Sequence, residues 1–190
     1  MAGQSHSGPQ DRWALPRPGQ GPAQCLLLAA TACLLLTQCG GTGSHSQWRY
    51  RYHPGRSAVL VQGKAVPPAG LPEPVMRAIS AGNRIVGKPY RYGGGHRRIE
   101  DRGYDCSGTV SYVLYHAGLL PAPTTSGGFM HYGKAGAGRH ITIFSEKGHS
   151  FIEVAGLRLD TGYHGQREGP HWSTLSRPIR GYVLRHPRGY

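Results

Sequence analysis

The stretch Tyr104-Asp-Cys-Ser-Gly-Thr-Val-Ser-Tyr-Val-Leu-Tyr-His-Ala-Gly118 carries the clearest structural pattern in the chain. From Cys106 to Ala117, an apolar residue recurs every third or fourth position, which is the spacing of one helical face. Asp105 is a good N-cap, and a glycine at the far end is a natural stop. The pattern predicts a helix with Cys106 in its first turn, on the face that turns toward the protein.

The position of Cys106 has a chemical consequence. The unpaired N–H groups and the positive dipole end of a helix stabilise a thiolate, which is the reactive form of cysteine. Asp105 beside it works in the opposite direction, so a nucleophilic Cys106 needs a further partner, and a histidine within hydrogen-bond reach would supply one. The competing interpretation is a small buried residue on an apolar stripe.

Other segments complete the secondary-structure prediction. A helix is expected from about Pro72 to Val86, with Pro74 in its first turn and apolar residues at helical spacing. Residues 119–139, rich in Gly, Pro, Ser and Ala, are expected to form a long loop. Strands are then predicted at 140–145, 149–155, 157–161 and 179–185. Two helices followed by an antiparallel meander indicate the α+β class.

His149, at the start of a predicted strand, is the candidate base for Cys106, and it needs a third group to orient its imidazole. A two-residue turn at Ala155-Gly156 would place Phe151 opposite Asp160. Asp160 would then lie on the His149 face as a diagonal neighbour. A shift of one residue in the pairing of the two strands would move Asp160 to the other face of the sheet. His164 is the competing orienting residue.

The beginning of the chain predicts export. Residues 25–36 form a run of 12 apolar or small residues, too short for a membrane span but suitable for a signal peptide. The following Leu36-Thr-Gln-Cys39 resembles a bacterial lipoprotein box, which makes Cys39 the candidate site of lipidation and membrane anchoring. The expected organisation is a leader at 1–39, an irregular arm at 40–70 and a domain at 71–190. A short buried helix is the alternative for the apolar run.

The net charge of the chain and the spacing of its cysteines restrict the kinds of partner and cofactor to expect. The formal net charge is +13; in an exported protein this fits an anionic wall or lipid surface and makes nucleic acid an unexpected partner. A solvated, arginine-rich surface would give the same charge. Three of the four cysteines lie in or beside the leader, and no cysteines have zinc-ligand spacing. No metal or other cofactor is expected, and the protein is expected to be a monomer.

Three motifs together resemble the NlpC family of papain-like cell-wall cysteine peptidases. They are Lys88-Pro-Tyr-Arg-Tyr-Gly-Gly94, then Tyr104-Asp-Cys-Ser-Gly108, then Gly148-His149, whose histidine is 43 residues after Cys106. The resemblance covers about residues 73–162. Tyr92 stands where the family usually has Trp, and the family's Pro-Gly-Asp-Leu turn is absent before the histidine strand.

The resemblance implies a papain-like fold and hydrolysis of peptidoglycan stem peptides through a thioester. The bond cleaved in the family is typically that between D-γ-glutamate and a diamino acid. Residues matching Tyr90, Asp105 and Ser107 help to line the family's substrate cleft, and an acidic residue at 105 would suit a peptide's free amine. Asp160 occupies a third catalytic position that is commonly His, Asn or Gln.

Three other functions remain open at this point. The chain could be a wall-binding module of the same fold without turnover, since the third position is altered. It could be a papain-like N-acetylmuramoyl-alanine amidase, which cleaves the sugar–peptide linkage. It could also be a basic structural lipoprotein in which Cys106 is only a core residue.

Overall fold

Two long helices and an antiparallel sheet form the body of the protein in residues 47–162 and 168–190, which are the parts that the computed structural model describes. The predicted leader with Cys39, and the alternative orienting residue His164, lie outside the described residues. The helices are α1 (Glu73–Ile85), α2 (Cys106–His116) and the short α3 (Ser126–Phe129). Across the described residues, no helix has both the length and the apolar character needed to cross a bilayer.

Helix α1 forms where the sequence predicts it. Pro74 lies in its first turn, where a missing N–H costs nothing, and the helix ends before Gly87, whose φ is +86°. The face that carries Val75 and Ile79 is buried against α2 and the sheet. The predicted helix from about 72 to 86 is therefore confirmed.

Helix α2 begins at Cys106 because Asp105 caps it. The Asp105 carboxylate accepts a hydrogen bond from the backbone N–H of Gly108 at 2.7 Å. Every residue from Cys106 to Leu114 is buried, so the first part of the helix is enclosed on all sides and not on one stripe only. The reason is its position between α1, strand 149–154 and the loop before residue 104.

The main sheet has six strands, and all neighbouring strands pair antiparallel. Their order across the sheet, in residue numbers, is 134–135, 183–186, 141–146, 149–154, 157–160 and 171–173. The strands are β4 (Lys134–Ala135), β5 (Ile141–Glu146), β6 (His149–Val154), β7 (Leu157–Asp160), β8 (His171–Ser173) and β10 (Val183–His186). Outside it, β1 (Gln47–Trp48) pairs with β9 (Arg177–Pro178), and β2 (Val59–Val61) pairs with β3 (Lys64–Val66). The α+β class with an antiparallel sheet is confirmed, whereas the papain-like assignment stays a prediction.

Several parts of this architecture differ from the sequence prediction. The sequence does not predict strand β8, and residues 119–139 contain α3 and β4 rather than an uninterrupted loop. The strand predicted at 179–185 begins only at Val183 and runs to His186. Both β4 and β8 are only two or three residues long and lie at the edges of the sheet. A strand that short has too few residues to show an alternating pattern.

The β6–β7 hairpin has the register that a two-residue turn predicts. Val154 pairs with Leu157, and the turn residues Ala155 and Gly156 have φ values of +47° and +81°. Positive φ at both central positions is the geometry of a type I′ turn, whose twist matches that of the flanking strands. This register brings Asp160 to the face of β6 that carries His149.

The segment expected to be an irregular arm contains regular structure from residue 47 onward. Strand β1 pairs with β9, and the side chain of Trp48 is 5% exposed, packed with Phe144, Phe151 and Ile179. Its indole Nε1 donates to Oε2 of Glu153 at 2.6 Å. The described part of 40–70 is therefore packed against the rest of the domain, through Trp48 and through the buried Ala58 and Ala65.

Candidate active site

The start of α2 and the start of β6 bring Cys106 and His149 together. Cys106 is 8% exposed, and its thiol lies near enough to the His149 ring for the histidine to lower the pKa of the thiol. Its Sγ also lies 3.9 Å from the carbonyl oxygen of Gly148. Cys106 is the single cysteine among the described residues, and it is unpaired. The two residues predicted to form a catalytic pair are thus brought close enough to shift each other's pKa.

Asp160 lies on the other side of the His149 ring. The His149 Nε2 atom is 2.9 Å from Oδ1 of Asp160, which also accepts the backbone N–H of Thr161 at 2.8 Å. An ionised carboxylate only accepts hydrogen bonds, so Nε2 carries the hydrogen and donates it. Nδ1 is then the ring nitrogen left for the Cys106 thiol.

Two arginines complete the surroundings of Asp160. Arg158 Nη1 and Arg177 Nη1 both donate to Asp160 Oδ2, the latter at 2.7 Å. All three side chains are almost fully buried. Sequence reasoning missed both arginines. Arg158 could have been found, because residues two apart on a strand share a face, whereas no local signal marks Arg177.

The pKa values of Cys106, His149 and Asp160 are shifted in the directions that an ion pair between the thiolate and the imidazolium requires. Burial acts to raise the pKa of Cys106, but the hydrogen bond and charge of His149 outweigh it and lower the pKa below its usual value. Burial acts to lower the pKa of His149, but its bonds to Asp160 and Cys106 raise it to about 9. Burial acts to raise the pKa of Asp160, but His149 and the two arginines hold it below its usual value. A thiolate and an imidazolium are therefore favoured together.

A cleft of about 340 Å³ opens beside the thiol. The residues predicted to bind substrate, Tyr90, Asp105 and Ser107, line it together with Cys106. The remaining lining residues are Tyr92, Gly93, His96, Thr125, Ser126 and Gly148. In the described part of the chain, no group of three or more His, Cys, Asp or Glu side chains is arranged to hold a metal ion.

His96 is a cleft residue that sequence reasoning did not single out. Its Nε2 atom is 3.1 Å from Oδ1 of Asp105 and 3.1 Å from Oγ of Ser107. The hydrogen bond to Asp105 raises the pKa of His96, burial opposes this, and the nearby carboxylate charge adds to the rise. The only sequence signal was its place directly after the glycine run at 93–95.

The glycines of the motifs allow the loop before α2 to touch the helix itself. A Cβ on Gly108 would collide with the carbonyl oxygen of Gly94, and one on Gly94 would collide with that of Gly103. Both obstacles are backbone atoms, which cannot rotate away as a side chain can. This close contact holds the loop that carries His96 against the helix that carries Cys106.

A larger depression of about 650 Å³ adjoins the cleft and shares Tyr92 and Gly93 with it. Five cationic side chains line this depression, against the two acidic side chains of Glu100 and Asp101; the cationic residues are Lys88, Arg91, Arg97, Arg98 and Arg102. It contains neither Cys106 nor His149. The smaller cleft, which Cys106 lines, is therefore the candidate active site, and the larger depression gives it a positively charged border.

Comparison with solved structures supports the fold prediction. The peptidoglycan hydrolase RipB from Mycobacterium tuberculosis superposes with a TM-score of 0.50 and 24% sequence identity, covering 66% of this chain and 70% of that one. At this identity the likeness concerns the fold alone. The NlpC-type fold that the motifs indicate is confirmed.

Two further structures are more distant. RipD from Mycobacterium tuberculosis, a non-catalytic NlpC/p60 domain protein adapted to peptidoglycan binding, has a TM-score of 0.44 and 20% identity over 60% of this chain and 98% of that one. The Resuscitation Promoting Factor Interacting protein RipA has a TM-score of 0.43 and 20% identity over 69% of this chain and 71% of that one. No protein-family model matches the chain, and no curated protein matches it.

Proposed function

We propose that the protein hydrolyses peptidoglycan stem peptides, with Cys106 as nucleophile, His149 as base and Asp160 as the residue that orients the histidine. One observation carries the proposal: the His149 Nε2 atom lies 2.9 Å from Asp160 Oδ1, and the same histidine lowers the pKa of the neighbouring Cys106 thiol. A cysteine that only fills the core needs neither a histidine partner nor a carboxylate behind that histidine. The contact geometry thus favours an enzyme over a structural lipoprotein.

The chemistry follows from these contacts. The Cys106 thiolate attacks the carbonyl carbon of the scissile peptide bond, and the departing amine takes a proton from the His149 imidazolium, which leaves a thioester. Water then attacks the thioester carbonyl while His149 accepts a proton, and the thiolate is released with the carboxylic acid. Asp160 keeps the histidine ring in one tautomer during both steps.

The bond we propose is that between D-γ-glutamate and a diamino acid, as the resemblance to NlpC peptidases implies. The amidase and the wall-binding module remain as the two competing functions. They predict different products: an endopeptidase leaves a dipeptide on the sugar, an amidase releases the whole stem peptide, and a binding module releases nothing.

The test is digestion of purified sacculi followed by mass analysis of the soluble fragments. We expect stem-peptide fragments cut after D-γ-glutamate with the wild-type protein and none with Cys106→Ala. Alanine fits the buried helix at this position, so the variant should fold and bind sacculi normally. Fragments released equally by Cys106→Ala would refute the nucleophile, and whole stem peptides would identify the amidase.

We also propose that the protein is exported and that Cys39 is lipidated, with residues 1–39 as leader and the catalytic domain at 71–190. The support is the apolar run at 25–36 followed by the lipoprotein-like box. Incorporation of labelled palmitate into the wild type but not into Cys39→Ser would bear this out. Peptidoglycan and an anionic membrane surface are then the proposed partners, and we propose that the catalytic domain acts as a monomer.

A further inference from the structure

Three exposed arginines in the larger depression carry positive charge that the protein itself does not pair. Arg97, Arg98 and Arg102 all line the depression. Within residues 47–162 and 168–190, none of these three side chains makes a hydrogen bond or an ion pair. Arg98 interacts only with the charge of Asp101, at more than ion-pair distance. Their guanidinium donors are therefore available to a ligand.

The two acidic side chains of the depression are already engaged with other groups. The Asp101 carboxylate accepts the backbone N–H of Gly95 at 3.2 Å and lies 3.6 Å from Arg91 Nη1. The Glu100 carboxylate accepts the hydroxyl hydrogen of Tyr112 at 3.2 Å. Two carboxylates thus face five cationic side chains, and the depression keeps a net positive charge.

The loop that carries the arginines is held by contacts in which their guanidinium groups take no part. The buried Tyr104 hydroxyl accepts the backbone N–H of Asp101 at 3.0 Å and donates to the carbonyl oxygen of Ile99 at 2.9 Å. Lys88 Nζ donates to the carbonyl oxygen of Asp101 at 2.7 Å. Because the backbone is ordered without the arginines, a ligand can bind them without first ordering the loop.

The depression is continuous with the cleft that Cys106 lines. Tyr92 and Gly93 line both spaces, and Tyr92 at their junction is 94% exposed. A ligand held at the thiol can therefore extend past Tyr92 into the depression. A stem peptide in the cleft would bring its own carboxylates to this position, which favours the substrate over a separate anionic polymer as the occupant.

We infer that Arg97, Arg98 and Arg102 bind a free carboxylate of the stem peptide, so that the protein selects stem peptides whose carboxyl groups are not amidated. This inference rests on the proposed function of the cleft and names its substrate class. The planar guanidinium group matches the two oxygens of a carboxylate, whereas a carboxamide offers one oxygen acceptor and no charge. The carboxylates concerned are those of D-glutamate and of the diamino acid.

Calorimetric binding to the Cys106→Ala protein tests this without turnover. The probes are the N-acetylated tripeptide of L-alanine, D-γ-glutamate and meso-diaminopimelate and the matching tripeptide with L-lysine. Each is used with all its carboxyl groups free and with all of them converted to primary amides. At about 0.15 M salt, where distant charges are screened, we expect the free form of at least one tripeptide to bind about tenfold more tightly than its amidated form.

A triple variant in the same background removes the proposed site. Arg97→Gln, Arg98→Gln and Arg102→Gln together remove three positive charges and keep side chains of intermediate size and polarity. The preference for the free carboxylates should disappear, so the two forms of each probe should bind about equally. Loss of stability alone would weaken both forms together and leave their ratio unchanged.

A second cationic depression, of about 430 Å³, supplies the matched control. Arg51, Arg56 and Arg139 line it and are exposed, and it shares no lining residue with the cleft. Changing these three arginines to Gln lowers the net charge of the protein by the same amount, so the general attraction for anions falls equally. The preference for the free carboxylates should nevertheless stay close to that of the parent protein.

Three results would overturn the carboxylate site. They are equal binding of the free and amidated probes, a preference that survives the first triple variant, and an equal loss of preference in both triple variants. Polyphosphate is the probe for the competing occupant. If polyphosphate binds through the same three arginines while the peptides show no preference, the depression binds a phosphate polymer and the inference is wrong.

The same experiments distinguish this inference from the proposed function. Hydrolysis of sacculi that depends on Cys106 would still support the proposed function if the probes showed no preference. Absence of hydrolysis together with the expected preference, lost only in the first triple variant, would overturn the proposed function and leave the carboxylate site standing.

Discussion

The Nε2 atom of His149 lies 2.9 Å from Oδ1 of Asp160, a carboxylate that is 1% exposed. The two residues are on adjacent strands, and the turn at 155–156 sets their register. Cys106 also helps to raise the pKa of this ring, so His149 interacts both with the buried carboxylate and with a cysteine that lines the cleft.

The Cys106 thiol should ionise at a lower pH than an ordinary cysteine. His149 lowers the pKa of Cys106, and Cys106 and Asp160 help to raise that of His149 to about 9. The alkylation rate with iodoacetamide should therefore reach half its maximum below about pH 8.5. In His149→Ala this midpoint should move to higher pH, because burial still raises the pKa of Cys106 and no histidine is left to lower it. Identical profiles for the two proteins would mean that no ion pair forms.

Hydrolysis should decline on both sides of a pH optimum. On the acid side, protonation of the Cys106 thiolate removes the nucleophile. On the alkaline side, His149 loses its proton as the pH rises through about 9, which removes the acid that protonates the departing amine. The check is the initial rate of fragment release across this range. A rate that stays level well above pH 9 would contradict the role of His149 as proton donor.

Substitution of Asp160 should reduce both activity and stability. Asp160→Asn can still orient the histidine ring through its amide oxygen, so its rate should fall less than that of Asp160→Ala. Asp160→Ala also leaves Arg158 and Arg177 buried without their anion, which should cost about 3–5 kcal/mol in unfolding free energy. Glu73→Gln is the control: it removes an exposed ion pair with Arg77 and should cost less than about 1 kcal/mol.

The stability difference between wild type and Asp160→Asn should depend on pH. The pKa of Asp160 is held below its usual value in the folded protein, against the effect of burial, by His149 and the two arginines. A lowered carboxyl pKa contributes stability above the unfolded pKa of about 3.9 and loses it as the pH falls through the folded pKa. Urea unfolding should thus show a large difference near neutral pH and a smaller one in acid. A difference that grows in acid would contradict this ionisation state.

Gly108→Ala should disturb the site more than its small size suggests. The added methyl group would meet the backbone carbonyl of Gly94, so the loop or the helix must move, at a cost of about 1–3 kcal/mol. Gly127→Ala is the matched control, since its Cβ would meet only Thr125 Oγ1 at 3.8 Å. Thermal unfolding and hydrolysis rates of both variants provide the comparison. Equal behaviour of the two variants would show that the close contact is unimportant.

Trp48→Ala should destabilise the whole domain. Its indole is buried, donates to Glu153 and lies under the Arg158 guanidinium at 5.5 Å. Loss of a large buried aromatic side chain costs about 3–5 kcal/mol. Tyr52→Ala, at a neighbouring aromatic that is 56% exposed, should change stability by less than about 0.5 kcal/mol. If a protein truncated before residue 71 is as stable as the full chain, residues 47–70 do not contribute to the stability of the domain.

Local sequence patterns were sufficient for the elements that show a strong period or a marked cap. Helix α1 follows from Pro74 and helical spacing, α2 begins where Asp105 can cap it, and the β6–β7 register follows from a two-residue turn. In each case the interactions that decide the structure lie within a few residues along the chain, so the sequence displays them directly.

The sequence alone therefore indicated the α+β class and the place of Cys106 at a helix start, and it left Asp160 and His164 as alternatives for the residue that orients His149. The tertiary structure alone decided which side chains surround them: Arg177 on Asp160, His96 on Asp105, and Trp48 against the sheet. Each of these contacts joins positions whose separation along the chain carries no period or turn signal, from nine residues for His96 to more than a hundred for Trp48 and Glu153. Such contacts depend on how whole elements pack, because burial and charge pairing act through space and leave no local pattern in the chain.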